Sequence, residues 1–115
     1  MTTKVKATAK YVRISPTKVR QLTRLIAGQH VDEAKRILQF ADKSAADPLL
    51  KVLNSAIANA ENNDDLDPDE LYVDKAFADE GPTLKRYLPR ARGRADLMRK
   101  RTSNITITLE ERSGQ

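Results

Sequence analysis

From Lys4 to Val12 the chain alternates, with Val5, Ala7, Ala9 and Tyr11 on one side and Lys4, Lys6, Thr8 and Lys10 on the other. A period of two predicts a half-buried β-strand, here with a basic outer face. Ser15-Pro16 then opens a helix, with Ser15 as N-cap and Pro16 at the first helical position. Val19, Leu22, Leu25 and Ile26 recur at helical spacing and mark its inward face, while Lys18, Arg20 and Arg24 lie mostly off it. Gly28 is a natural stop.

Val31 to Phe40 reads as a second short helix, with Asp32 as cap and Ala34, Ile37 and Leu38 facing in. A third helix begins either at a capping box on Ser44 or with Asp47-Pro48 as cap and first position, and runs to about Asn62. Leu49, Leu53, Ile57 and Ala60 form its core stripe, with Leu50, Val52 and Ala56 beside it, and Ala56, Ala58 and Ala60 are small enough for close packing on a sheet. Asn62 to Glu70 is an acidic, turn-rich loop. Leu71 to Glu80 reads as a strand with Leu71, Val73 and Phe77 on one side. Asn104 to Leu109 is the clearest strand, Ile105, Ile107 and Leu109 alternating with Thr106 and Thr108, and the tail from Glu110 reads as frayed.

Residues 81–103 separate those two strands. A structureless loop of that length in a compact domain is uncommon unless it is functional. The economical solution continues both strands outward as a two-stranded ribbon, with its tip near Leu88, Pro89, Arg90, Ala91 and Arg92. At about 3.3 Å per residue, arms of roughly 11 residues reach on the order of 35 Å. Isolated ribbons are marginal in water, so this one is expected to move when free and to be ordered by a partner.

Charge singles out the same stretch. Residues 84–101 carry Lys85, Arg86, Arg90, Arg92, Arg94, Arg99, Lys100 and Arg101 against one acid, Asp96, a local charge of +7. The whole 115-residue chain is only +5. Residues 1–24 add seven bases and no acid, whereas 25–83 hold five bases against thirteen acids. Such sorting points to a polyanionic partner. Arginine forks bind phosphate and stack on bases, and arginine-rich arms fold on RNA. The bland alternatives are a solvated basic loop and ordinary surface lysines. Tyr87 either stacks on a base or packs on the ribbon. Leu84, Leu88, Leu97 and Met98 either join the two arms or wedge into RNA, the former fitting better.

Other chemistry finds little support. The chain has no cysteine, which excludes disulfides and thiolate sites. Its single histidine, His30, has no second soft ligand and reads as a turn residue. Asp64, Asp65, Asp67, Asp69 and Glu70 lack the glycine and glutamate spacing of a calcium loop. Asp79-Glu80 are adjacent on a strand and point to opposite faces. No nucleotide loop or Ser/His/Asp set is present, so neither an enzyme nor a bound metal or cofactor is expected. The start has no secretory apolar region and no run approaches the ~20 residues of a membrane span, so a soluble cytoplasmic protein of one domain is expected.

Three stretches carry a resemblance: Arg13-Ile14-Ser15-Pro16-Thr17-Lys18-Val19-Arg20, Val52-Leu53-Asn54-Ser55-Ala56-Ile57-Ala58-Asn59-Ala60-Glu61-Asn62, and Asp79-Glu80-Gly81-Pro82-Thr83-Leu84-Lys85-Arg86 continuing through Pro89-Arg90-Ala91-Arg92-Gly93-Arg94-Ala95 to Lys100-Arg101-Thr102-Ser103-Asn104-Ile105. Over nearly its whole length the chain resembles the large-subunit ribosomal protein L twenty-two family, with Asn104 where members often carry histidine. The resemblance implies an α+β fold: a three-stranded antiparallel sheet packed by three helices, with a long protruding β-hairpin. The globular part would be residues 1–80 and 104–112, and the hairpin about 81–103. It implies a monomer within the ribosome that contacts several rRNA domains and neighbouring large-subunit proteins and acts early in assembly. Carried over by position, Lys18, Arg20, Lys85, Arg86, Arg90, Arg92, Arg94, Arg99, Lys100 and Arg101 would bind rRNA, and the acid-free basic block before them, with Lys10 and Arg13, is expected to extend that footprint. Residues Leu88 to Arg92 would line the peptide exit tunnel beside the nascent chain. The alternative is a DNA-architectural protein whose basic β-arms grip the minor groove. The two separate in a cell lysate: the chain is expected to sediment with large subunits and to lose that association on RNase but not DNase treatment.

Overall fold

In the computed structural model, residues 4–81, 84–89 and 95–112 are described, with side chains for 4–81 and 101–112. The described elements are β1 (Lys4–Val12), α1 (Pro16–Ile26), α2 (Val31–Phe40), α3 (Ala46–Asn63), a 3-10 turn over Pro68–Glu70, β2 (Leu71–Glu80), β3 (Leu84–Pro89), β4 (Ala95–Lys100) and β5 (Ser103–Glu111). The main sheet runs β1-β5-β2, antiparallel throughout, so the strand latest in the chain is central. β3 and β4 form a separate antiparallel pair. α3 packs over β1 and β5, α1 over β2, and α2 against both helices.

The alternating pattern of β5 is the floor of the core. Ile105, Ile107 and Leu109 are fully buried against Leu49, Leu53, Ala56 and Ala60 of α3, Val19, Leu22 and Ile26 of α1, and Val31, Ala34 and Leu38 of α2. Burying each large side chain is worth about 1.5–3 kcal/mol. Leu25, expected inside, is 54% exposed, because it lies on the flank of the stripe formed by Val19, Leu22 and Ile26. Ala58 likewise faces solvent.

Two bulges explain where the strand readings fail. On β1 the register shifts between Ala9 and Val12, so Lys10 and Tyr11 together oppose Asn104. Tyr11 takes a left-handed φ of 62°, and its N–H donates to Asn104 Oδ1 at 3.2 Å. Its ring is exposed, not on the core side with Ala9. On β2 Asp74 is the extra residue between Val73, opposite Leu109, and Lys75, opposite Thr108. An inserted residue reverses the face of everything beyond it. Ala78 therefore enters the core and Phe77 turns out.

The edge of β2 is closed by the α1–α2 turn. Gly28 at φ 81° sends its N–H to the Val73 carbonyl, and Val73 N–H returns to Gln29 O, both at 2.8 Å. The positive φ is a conformation glycine adopts without steric cost. His30 follows, bridged to Tyr72. It, not Asp32, caps α2: Nδ1 accepts from Asp32 N–H at 3.1 Å, so Nε2 carries the proton and donates to Asp69 O at 2.7 Å. Its ring meets Tyr72 edge-on, and Arg112 lies over the ring of the same tyrosine, 4.9 Å from the centroid. Arg112 also pairs with Glu110 at 2.6 Å, and its N–H donates to Glu70 O, so the chain is ordered through this residue and is not frayed from Glu110. Neither Ser15 nor the residue before α3 makes a side-chain cap; α3 starts at Ala46 behind Ala45. The molecule measures 67 × 26 × 18 Å, with a radius of gyration of 17.3 Å against roughly 13 Å for a compact chain of this length.

Chemical unfolding should rank three substitutions. Leu53→Ala is expected to cost about 2–5 kcal/mol, His30→Ala about 1–2 kcal/mol through the lost cap, and Phe40→Ala, 81% exposed, less than about 0.5 kcal/mol.

Candidate nucleic-acid interface

The ribbon leaves the body between the edge strand and the central strand. β2 and β5 stay paired to Glu80–Ser103, and Gly81 N–H then donates to Thr102 O at 2.9 Å. Beyond this foot Leu84 pairs with Lys100, and the ladder continues through Lys85–Arg99, Arg86–Met98, Tyr87–Leu97 and Leu88–Asp96 to Pro89–Ala95. The main sheet and the ribbon differ by one residue of register, so the two strands do not run outward without a break. Leu88 and Pro89, placed at the tip by sequence, lie within β3. Arg90, Ala91, Arg92 and Arg94 lie outside the described residues. The basic positions Lys85, Arg86, Arg99 and Lys100 sit on β3 and β4, and Arg101 is exposed at the foot.

The foot is buried and bonded. Thr102 and Ser103 are 1% and 0% exposed, and the Ser103 hydroxyl donates to the Ile14 carbonyl just before α1. A Cβ on Gly81 would come to 2.5 Å from Thr102 Oγ1 and 3.4 Å from Asn104 Oδ1. Only a residue without a side chain fits there unless Thr102 moves.

The second basic region divides. Lys10, Arg13 and Lys18 are exposed and make no ion pair among the described residues. Arg20 has a structural duty that its sequence context did not reveal. Its Nε and Nη2 both donate to the Ala78 carbonyl of β2, at 3.1 and 2.8 Å. That occupies two of its five N–H groups and leaves three for another acceptor. Along the same helix, Thr17, Arg20, Gln21 and Arg24 line a shallow cleft of about 260 Å³. Lys18 and Gln21 line a second one with Lys43, whose Nζ donates to Gln21 Oε1 at 3.0 Å. Lys43 thus joins Lys18, Arg20 and Arg24 on the basic surface of α1, coming from a stretch too acidic overall to draw notice. Among the described residues no cluster of three or more His, Asp or Glu side chains could hold a metal ion, and no helix is long and apolar enough to cross a membrane.

Residues 7–110 match the model of a family described as ribosomal protein L22p/L17e. The large ribosomal subunit protein uL22 of Thermoanaerobacter sp. (strain X514) is 63% identical over 107 residues, 93% of this chain and 96% of that protein. Its counterpart in Desulfitobacterium hafniense (strain DSM 10664 / DCB-2) is 60% identical over 107 residues, 93% and 94% of the two chains. That of Thermus thermophilus is 56% identical over 110 residues, 96% and 97% of the two.

Three substitutions separate fold from surface. Gly81→Ala is expected to destabilise by about 1–3 kcal/mol through crowding at Thr102. Arg20→Ala should cost about 1–2 kcal/mol in unfolding free energy, while Lys18→Ala leaves it unchanged within about 0.5 kcal/mol.

Proposed function

The chain belongs to the ribosomal protein L22p/L17e family, and from that premise we propose that it binds and bridges separate segments of large-subunit rRNA through the β3–β4 ribbon. As a family member it is a structural, non-enzymatic protein of the large ribosomal subunit, working in translation in the cytoplasm with rRNA and other ribosomal proteins as partners. We read it as one domain, residues 1–80 and 104–112 being the body and about 81–103 the ribbon, present as a monomer in the subunit. The observation that carries this reading is the separate β3–β4 pair rooted in the edge and centre of a helix-backed sheet. Lys85, Arg86, Arg99 and Lys100 lie on it, and the sequence between its strands adds Arg90, Arg92 and Arg94. The elongated outline supports a ribbon that reaches away from the body.

Mechanistically, such a ribbon works by neutralising charge. Each phosphate contacted releases condensed counterions, so affinity is sequence-tolerant and falls steeply with salt. The bonded foot at Gly81, Thr102 and Ser103 fixes the direction in which the ribbon leaves the sheet. Lys10, Arg13 and Lys18, with the N–H groups Arg20 has left, extend the footprint onto the body. Residues Leu88 to Arg92 would then approach the nascent peptide and line the exit tunnel. Family membership removes the motive for the DNA-architectural alternative.

Replacing Arg90, Arg92 and Arg94 together by alanine should weaken binding to large-subunit rRNA and slow incorporation into subunits. The plot of log affinity against log salt should become shallower by about two to three units. The melting temperature of the isolated protein should stay within about 2 °C, as expected of arginines that face RNA and not the core. A large fall in melting temperature, or an unchanged salt slope, would remove the ribbon from the RNA interface.

A further inference from the structure

The three helices cover one face of the β1-β5-β2 sheet and leave the other open. The register builds a defined surface there. Lys6, Thr108 and Lys75 form one row across the strands, and Thr8, Thr106 and Phe77 the next. Asn104 and Asp79 begin a third, with exposed Lys10 at its β1 end. Phe77 is 41% exposed at the edge of this grid, and the Thr8 and Thr106 hydroxyls lie 3.4 Å apart beside it.

Phe77 is on this face because of the Asp74 bulge. With an unbroken alternation it would share the core face of Leu71 and Val73, whose place Ala78 takes instead. Bulges recur where a side chain is re-aimed for use. The charges around it are sorted. Lys4 is paired with Asp74 at 3.2 Å and Glu110 with Arg112 at 2.6 Å, so the Lys4 end of the face is neutralised. Lys6, Lys10 and Lys75 have no ion pair among the described residues, and Asp79 is the one acid among them.

Phe77 stands among lysines, threonine hydroxyls and an amide, and Tyr72, two rows away on the same face, is already held by His30 and Arg112; such a surface does not suit a protein partner, whose interface core needs contiguous apolar area. It suits an unpaired nucleotide: a base stacked on the ring, phosphates on the lysines, and hydroxyls for base edges or the ribose 2′-OH. Lys6 and Lys75 stand two strand spacings apart, roughly 10 Å, on either side of Thr108. We propose that the open sheet face is a second RNA-binding surface, on which a single-stranded nucleotide stacks against Phe77 while Lys6, Lys10 and Lys75 neutralise the neighbouring phosphates. The site rests on the reading of the partner as RNA and shares only Lys10 with the footprint that extends from the ribbon.

The chain contains no tryptophan, so Phe77→Trp places a single fluorophore in the site. The variant full-length protein is titrated with an eight-nucleotide oligoadenylate and, separately, with inorganic polyphosphate of matched charge. Stacking should quench the indole with the oligoadenylate and not with polyphosphate. Phe77→Ala should bind the oligoadenylate roughly tenfold more weakly than the parent with an unchanged melting temperature, and Lys6→Gln with Lys75→Gln should flatten the salt dependence. The quench should persist when Arg90, Arg92 and Arg94 are alanine. Oligoadenylate binding that neither quenches the indole nor depends on Phe77 overturns this site and leaves the ribbon reading standing. A quench by other large-subunit proteins but not by RNA overturns it in favour of a protein contact. Absence of any RNA binding by the parent protein removes both.

Discussion

β5 supplies ladder partners to β1 on one side and β2 on the other, and those two strands share no pairing of their own. Its Ile105, Ile107 and Leu109 are the residues on which α1 and α3 close. Without this strand the body is two unpaired edges with helices that have nothing to bury against. The same strand is continued at its start by the returning arm of the ribbon. The ribbon is therefore tied to the most buried strand of the fold, and to an edge strand that Gly28, Gln29 and Arg20 hold in place.

The basic residues fall into two groups by what they touch. Lys4, Arg20 and Arg112 are engaged inside the molecule, with Asp74, the Ala78 carbonyl and Glu110 respectively. Lys6, Lys10, Arg13, Lys18 and Lys75 have no such partner among the described residues. In a domain with little stability to spare, unpaired like charges are a mild burden on the folded state that an anionic partner relieves. Net charge alone would not have separated the groups. Arg20 and Lys18 are two positions apart on one helix, yet one clamps the sheet and the other faces solvent.

What could be read beforehand follows from how local the signal is. The strict alternation of Ile105, Ile107 and Leu109, and the stripe from Leu49 to Ala60, declare their elements because each repeats over several turns or strand residues. Tyr11 and Phe77 leave the face that simple alternation predicts because a single inserted residue reverses the count, and neither Lys10-Tyr11 nor Asp74 carries the glycine that often marks a bulge. The cap of α2 went to Asp32, the residue type expected, while the actual acceptor is an imidazole nitrogen whose other side is fixed by a carbonyl 39 residues away. The bond from Arg20 to the Ala78 carbonyl has no counterpart in sequence, because its acceptor is main chain, which carries no residue signature. The clustering of Lys85 to Arg101 is legible from the order of charges along the chain, eight bases against one acid between residues 84 and 101.

The order of strands also bears on how the molecule comes into being. A ribosome synthesising this chain delivers β1, all three helices, β2 and the whole arginine-rich stretch before the central strand exists. Until that strand appears, β1 and β2 cannot be joined, and the contacts that then form span nearly the entire sequence, as between Thr8 and Thr106, 98 residues apart. The body is therefore completed by nearly the last residues to be synthesised, and both arms of the β3–β4 pair are made before the strand that anchors them is in place.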